Sequence, residues 1–144
     1  MIKLLAMLAV LASVQGSTTP SRPASAEPRQ IADEAMRFVA ADDTKGLFAY
    51  VSEQMPSERE ALDKLRVSSL DQRKKLAVSF GKSLGFAFIR ECRVSDFLVR
   101  LVYAEKRERN VLRWQFIFYK ARNVWAMSGF NWDDNVNAMF APCD

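Results

Sequence analysis

Residues 98–119 read LVRLVYAEKRERNVLRWQFIFY, and this stretch decides the fold. In its second half Leu112, Trp114, Phe116 and Phe118 alternate with Arg113, Gln115, Ile117 and Tyr119. That period of two sets three aromatics on one face of a half-buried strand. In its first half Val99, Leu101 and Tyr103 share a face, with Arg100, Val102 and Ala104 on the other. A loop at Arg107-Glu108-Arg109-Asn110 joins the halves and fixes the register, setting Tyr103 opposite Trp114, Leu101 opposite Phe116 and Val99 opposite Phe118. The apolar faces match, so the stretch is an antiparallel hairpin. The mixed charges of Glu105-Lys106-Arg107-Glu108-Arg109 read as a solvated turn at its tip.

The same period extends outward from Phe86, with turn chemistry at Ser95-Asp96 and Arg122-Asn123, and gives four antiparallel strands in a meander. A two-residue turn at Ser95-Asp96 places Phe88, Arg90, Cys92 and Val94 on the aromatic face and Glu91 across from Arg100. A turn at Arg122-Asn123 pairs Phe118 with Met127 and Phe116 with Gly129, whose bare backbone leaves room above the sheet for a helix or a small cavity. By the same parity Val102, Ile117, Tyr119, Phe130 and Trp132 fall together on the opposite face, ringed by Arg100, Arg113 and Glu91. A patch of that size calls for a cover. The choices are the C-terminal segment, with Met139 and Phe140, or a second subunit packing sheet to sheet, and a homodimer through these five residues is the favoured expectation.

Before the strands the period is helical. Pro28 opens a helix that carries Ile31, Ala35, Phe38 and Val39 inward and Glu34 and Arg37 outward. Asp42-Asp43-Thr44 stops it and caps a second helix with a Leu47, Phe48 and Val51 stripe, which runs to the Met55-Pro56 break. Ser57 with Glu60 opens a third helix bearing Ala61, Leu62 and Leu65. Ser69 with Gln72 repeats that capping-box pattern and opens a fourth, with Leu76, Ala77, Phe80 and Leu84 on one face and Gly85 as its C-terminal cap. Four short helices ahead of a four-stranded antiparallel meander make an α+β fold, with the helices on one face of the sheet.

A length of 144 residues with 49% hydrophobic content fits one globular domain. The uncharged apolar run over residues 4–14 follows Lys3 and has the length of a secretory signal core, too short to remain as a membrane anchor. Cleavage after Gly16 or after Ala26 both fit, and no lipobox cysteine follows the run. Residues 17–26 are a Ser/Thr/Pro/Ala linker, so residues 1–26 form the signal and linker and residues 27–144 the domain. Lys3 and Arg22 precede Glu27, so the domain carries two positive charges fewer than the chain's +4. That weak basicity gives no reason to expect nucleic acid or an anionic membrane as partner. The destination read from the signal is periplasmic or extracellular.

The chemistry-bearing residues are few. The chain has no His, which removes Ser-His-Asp and Cys-His catalysis and the usual zinc site. Its five glycines are scattered and build no phosphate loop. Asp133-Asp134 with Asn135 or Asn137 reads as a turn or helix cap before it reads as a cation site, so no metal and no cofactor is expected. Arg90 on the aromatic face needs a partner or a ligand, and a helix carboxylate or the sheet rim answers that more simply. Arg90, Tyr103, Trp114 and Trp125 are the candidate lining of a pocket for a small apolar ligand, set against the plainer reading of the aromatics as core. Cys92 and Cys143 are either a disulfide or one buried and one tail thiol.

Over residues 28–134 the chain resembles the NTF2-like (cystatin-like) superfamily, and more closely its small exported bacterial members. The resemblance rests on the helical first half and on the strands SDFLVRLVY (95–103), LRWQFIFYK (112–120) and residues 125–132. It implies a cupped sheet, frequent dimerisation through the sheet and very diverse functions. Larger members insert strands among their helices. None is legible here, which implies a conical pocket that is reduced or absent. Fold does not settle function. The leading expectation is a non-catalytic exported binding or assembly module that dimerises through its outer sheet face. Behind it stand a small-molecule carrier or sensor using the concave face, and an isomerase-like enzyme using Tyr103 and a pocket carboxylate that nothing in the sequence nominates.

Overall fold

A computed structural model of the chain describes residues 26–143, so nearly all of the expected signal and linker lies outside the described residues. Helix α1 (Pro28–Ala40) starts where the Pro at N1 and a Glu27/Gln30 capping box place it, and Ile31, Ala32, Ala35, Met36 and Val39 form its buried stripe. Helix α2 (Thr44–Gln54) is capped by Asp43, whose carboxylate accepts the Gly46 N–H at 2.8 Å, and it buries Leu47, Phe48 and Val51. After a 3-10 turn at Pro56–Glu58 comes α3 (Arg59–Phe80), one helix of 22 residues where the capping patterns suggested two. No Gly or Pro stands between Arg59 and Phe80 to stop it, so Ser69 is an interior residue with a buried side chain, and no cap. The helix ends at Gly81, in the left-handed region at φ 77°, rather than at Gly85, and Leu84 belongs to a strand.

Four strands follow: β1 (Ser83–Val94), β2 (Leu98–Arg107), β3 (Val111–Ala121) and β4 (Val124–Asp133), antiparallel in the order β1-β2-β3-β4. A short α4 (Asn137–Phe140) closes the described chain. Helices first and an open meander second make this an α+β fold, with α1 lying across the inner face of the sheet.

The central hairpin has the register its alternation dictates, with Tyr103 opposite Trp114, Leu101 opposite Phe116 and Val99 opposite Phe118. Both flanking strands carry a bulge. In β1 the turn takes three residues, so Val94 faces Leu98, Cys92 faces Arg100 and Arg90 faces Val102. Arg90 and Cys92 therefore point to the outer face, not the aromatic one. A register shift between Phe88 and Arg90 then returns Phe88 opposite Tyr103 on the inner face. In β4 the Arg122-Asn123 turn, with φ of 51° and 64°, is the primed two-residue type, and Phe118 pairs with Met127 as expected.

A shift at Ser128 then turns the rest of β4 over: Gly129 faces Ile117, Phe130 faces Phe116 and Trp132 faces Trp114. Phe130 and Trp132 thereby leave the expected outer patch for the core. Trp132 stacks on Trp114 at 5.0 Å, and Phe130 stacks on Phe116 and meets Phe48 edge-on at 5.8 Å. Gly129 sits on the outer face, and a Cβ there would touch nothing within 4 Å.

Leu101, Tyr103, Trp114, Phe116 and Phe118 are all fully buried. Truncating Phe116 to Ala removes a ring that contacts Tyr103, Trp114 and Phe130, and should destabilise the protein by about 3–5 kcal/mol in urea unfolding. A loss below about 1 kcal/mol would contradict this packing.

Candidate functional site

The charged run at the tip of the central hairpin is not a solvated turn. β2 continues through Arg107, and parity points Glu105 and Arg107 to the same inner face as Leu101 and Tyr103. Glu105 is 0% exposed. Its Oε1 and Oε2 accept both ends of the Arg73 guanidinium, at 2.9 and 2.7 Å, and Oε2 also accepts the Trp114 indole N–H at 2.8 Å. Arg107 donates to the same carboxylate, to the Gly81 carbonyl and, at 3.0 Å, to Asp42. Asp42 sits in the left-handed region at φ 54° between α1 and α2, where an Asp is tolerated, and it also accepts from Arg73 and from the Ser83 N–H. At the tip itself Arg109 donates to the Val78 and Ser79 carbonyls at the end of α3.

Two arginines and two carboxylates thus neutralise one another between α3, β2 and the α1–α2 turn. Their donors and acceptors are taken up internally, so the cluster joins elements and presents no free reacting group. Replacing Glu105 with Leu would leave two buried cations facing each other, and should cost about 3–5 kcal/mol in chemical denaturation. Adding Arg73→Met should recover part of that loss, because Arg107 keeps Asp42. A double variant no more stable than the single one would contradict this account of the cluster.

Of the four residues expected to line a pocket, the structure brings Tyr103 and Trp114 together, but as paired core residues. The Tyr103 hydroxyl donates to Asp33 at 2.7 Å, and Asp33 is also bound by Arg29, whose guanidinium lies 3.6 Å from the Phe88 ring centre. Trp125 is buried in the same core, with Lys120 and Arg93 over its ring. Arg90 is on the other side of the sheet. Stacked and edge-on aromatics fill the concave face where a ligand was expected. The Tyr103–Asp33 pair supplies the phenol and carboxylate of the isomerase-like reading, but Tyr103 is sealed from solvent.

Burial first, and then the bond to Asp33, push the Tyr103 phenol well above its ordinary range. A raised folded pKa keeps the proton in the native state, while the unfolded tyrosine releases it near pH 10. The stabilisation is therefore complete below about pH 10 and declines as pH rises above it. Unfolding free energy measured from pH 9 to pH 12 should fall more steeply for the wild type than for Tyr103→Phe. Parallel slopes would contradict the assignment.

On the outer face the C-terminal segment folds back from the end of β4 to β1. Arg90 donates to the carbonyls of Met139 at 2.6 Å and Ala138 at 2.9 Å, and Cys143 is disulfide-bonded to Cys92. The strap thus crosses the row Arg90, Val102, Gln115 and Asn131, and Val102, though outward-facing, is 1% exposed. Met139 is half-buried, whereas Phe140 is left in solvent. The strap covers one end of the face only. At the β1–β2 turn end Ile117 is 37% and Tyr119 47% exposed, and Val94 and Phe97 are exposed beside them, Phe97 meeting Tyr119 edge-on at 6.3 Å.

The sequence held no direct signal for the ionic cluster beyond the shared parity of Tyr103, Glu105 and Arg107. Asp42 was hidden as a helix stop, and nothing in the helical pattern singled out Arg73. Among the described residues no group of three His, Cys, Asp or Glu is placed to hold a metal ion, and no helix is long and apolar enough to cross a membrane. No protein family, no curated protein and no solved structure matches this chain.

Proposed function

We propose that this chain is an exported, non-catalytic binding or assembly module that pairs with a second copy of itself through the outer face of its sheet. The observation that carries the reading is the uncovered end of that face, where Val94, Phe97, Ile117 and Tyr119 remain exposed next to a strap that closes the other end. Export to the periplasm or the cell exterior is supported by the apolar run over residues 4–14 and by the disulfide, which persists in oxidising compartments. The NTF2-like resemblance carries the same expectation of pairing through the sheet. The carrier reading through the concave face has less support, because aromatic packing occupies that face.

Sedimentation of the purified protein at high micromolar concentration tests the pairing. The wild type should sediment as a dimer, and Ile117→Lys with Tyr119→Lys should give a monomer with unchanged far-ultraviolet circular dichroism. A wild type that is already monomeric at that concentration would end the proposal.

A further inference from the structure

A groove of about 400 Å³ runs between the C-terminal half of α3 and the ends of β3 and β4, away from the outer face and from the ionic cluster. Its apolar floor is Leu76, Phe80, Leu112 and Trp132, and its volume lies at the small end of the range for ligand pockets, roughly 300–1,000 Å³. Trp132 is half-buried, stacked on Trp114 and lining the groove, so an aromatic surface is available to an occupant.

The charges at the mouth are unequal in their engagements. Lys75 is paired with Asp71 at 2.7 Å, and the Asp133 carboxylate is held by Arg113 at 2.6 and 3.1 Å and by the Asn135 N–H. Asp134, also at the mouth, is exposed, and its carboxylate is bonded to none of the described residues. Gln72 and Ser79 add neutral polar groups along the helix wall. We propose that this groove binds a small aromatic amine, its ring against Trp132 and Phe80 and its ammonium at Asp134. The free charge at the mouth is negative, and the cation there is already neutralised, so a carboxylate ligand of the same shape is disfavoured.

Three probes of one shape test this on the purified protein: phenethylamine, 2-phenylethanol and phenylacetate. Binding is followed by nuclear magnetic resonance through the tryptophan indole N–H signals, with Trp132→Phe identifying the Trp132 signal. Phenethylamine should shift the Trp132 signal and bind roughly three- to fivefold more tightly than 2-phenylethanol, the scale of an exposed ion pair, with phenylacetate weakest. Asp134→Asn should erase the preference for the amine while leaving the alcohol's affinity unchanged. Ser79→Leu, on an exposed helix position, should block all three probes with the fold intact by circular dichroism. Equal affinities for the three probes, no binding by any, or binding that leaves the Trp132 signal unmoved would each overturn the proposal.

Discussion

One buried carboxylate, Glu105, ties the longest helix, α3, to the sheet. Helix α3 has too little apolar surface to dock by burial alone: of its residues only Leu62, Ser69 and Arg73 are buried, while Leu65, Val67 and Val78 face solvent. What fixes it is Arg73, reaching through to a carboxylate that also takes the Trp114 indole and Arg107. Removing three charges from water, those of Arg73, Glu105 and Arg107, is costly, and such clusters add less to net stability than their bond count suggests. Their consequence is geometric. A guanidinium gripped at both ends, with Arg109 on the last carbonyls of the same helix, permits one placement of α3, where a greasy interface would permit several.

The second constraint lies in two of the three register shifts of the sheet, the third being at the start of β1 between Ser83 and Gly85. Shifts near Ile89 and at Ser128 turn over part of each flanking strand, and together they sort the side chains of the whole sheet. Phe88, Phe130 and Trp132 are gathered inside, against Tyr103, Phe116 and Trp114. Arg90 and Cys92 are sent outside, where they hold the C-terminal strap by its carbonyls and by its cysteine. The three-residue turn already sets Cys92 on the outer face, within reach of Cys143, and an unbroken alternation from there would have turned Phe88 out of the core.

These facts mark how far the sequence could be read. The central hairpin was legible because both its strands alternate cleanly and a charged tip separates them, and the α+β order followed from the change of period at Phe86. Asp43 and Pro28 announced their helices by local chemistry. The bulges were not legible, because an extra residue leaves the alternation intact on either side and changes only which face each half occupies. Gly129, bare within a strand, was the available warning beside Ser128. The fusion of two expected helices into α3 was missed because Ser69 and Gln72 satisfy a capping pattern without any breaker to enforce it. The ionic cluster joins four residues separated by as much as 65 positions, and no local pattern announces such a partnership.

The bulges also bear on how a chain of this kind can associate. Both lie in β1 and β4, the two edge strands of the open sheet, and a bulge disturbs the flat ladder that edge-to-edge pairing requires. The inner face is closed by helices and aromatic packing, and the strap crosses the outer face over Val102 and is covalently fixed at Cys92, in the row of Arg100 and Ile117. On the pairing proposed above, contact with a second copy would therefore fall at the turn end, around Ile117 and Tyr119, face to face. There Arg100, opposite Ile117, borders the apolar residues with charge, so that the surface has an apolar centre and a polar margin, the composition that lets an interface stay soluble when it is unoccupied.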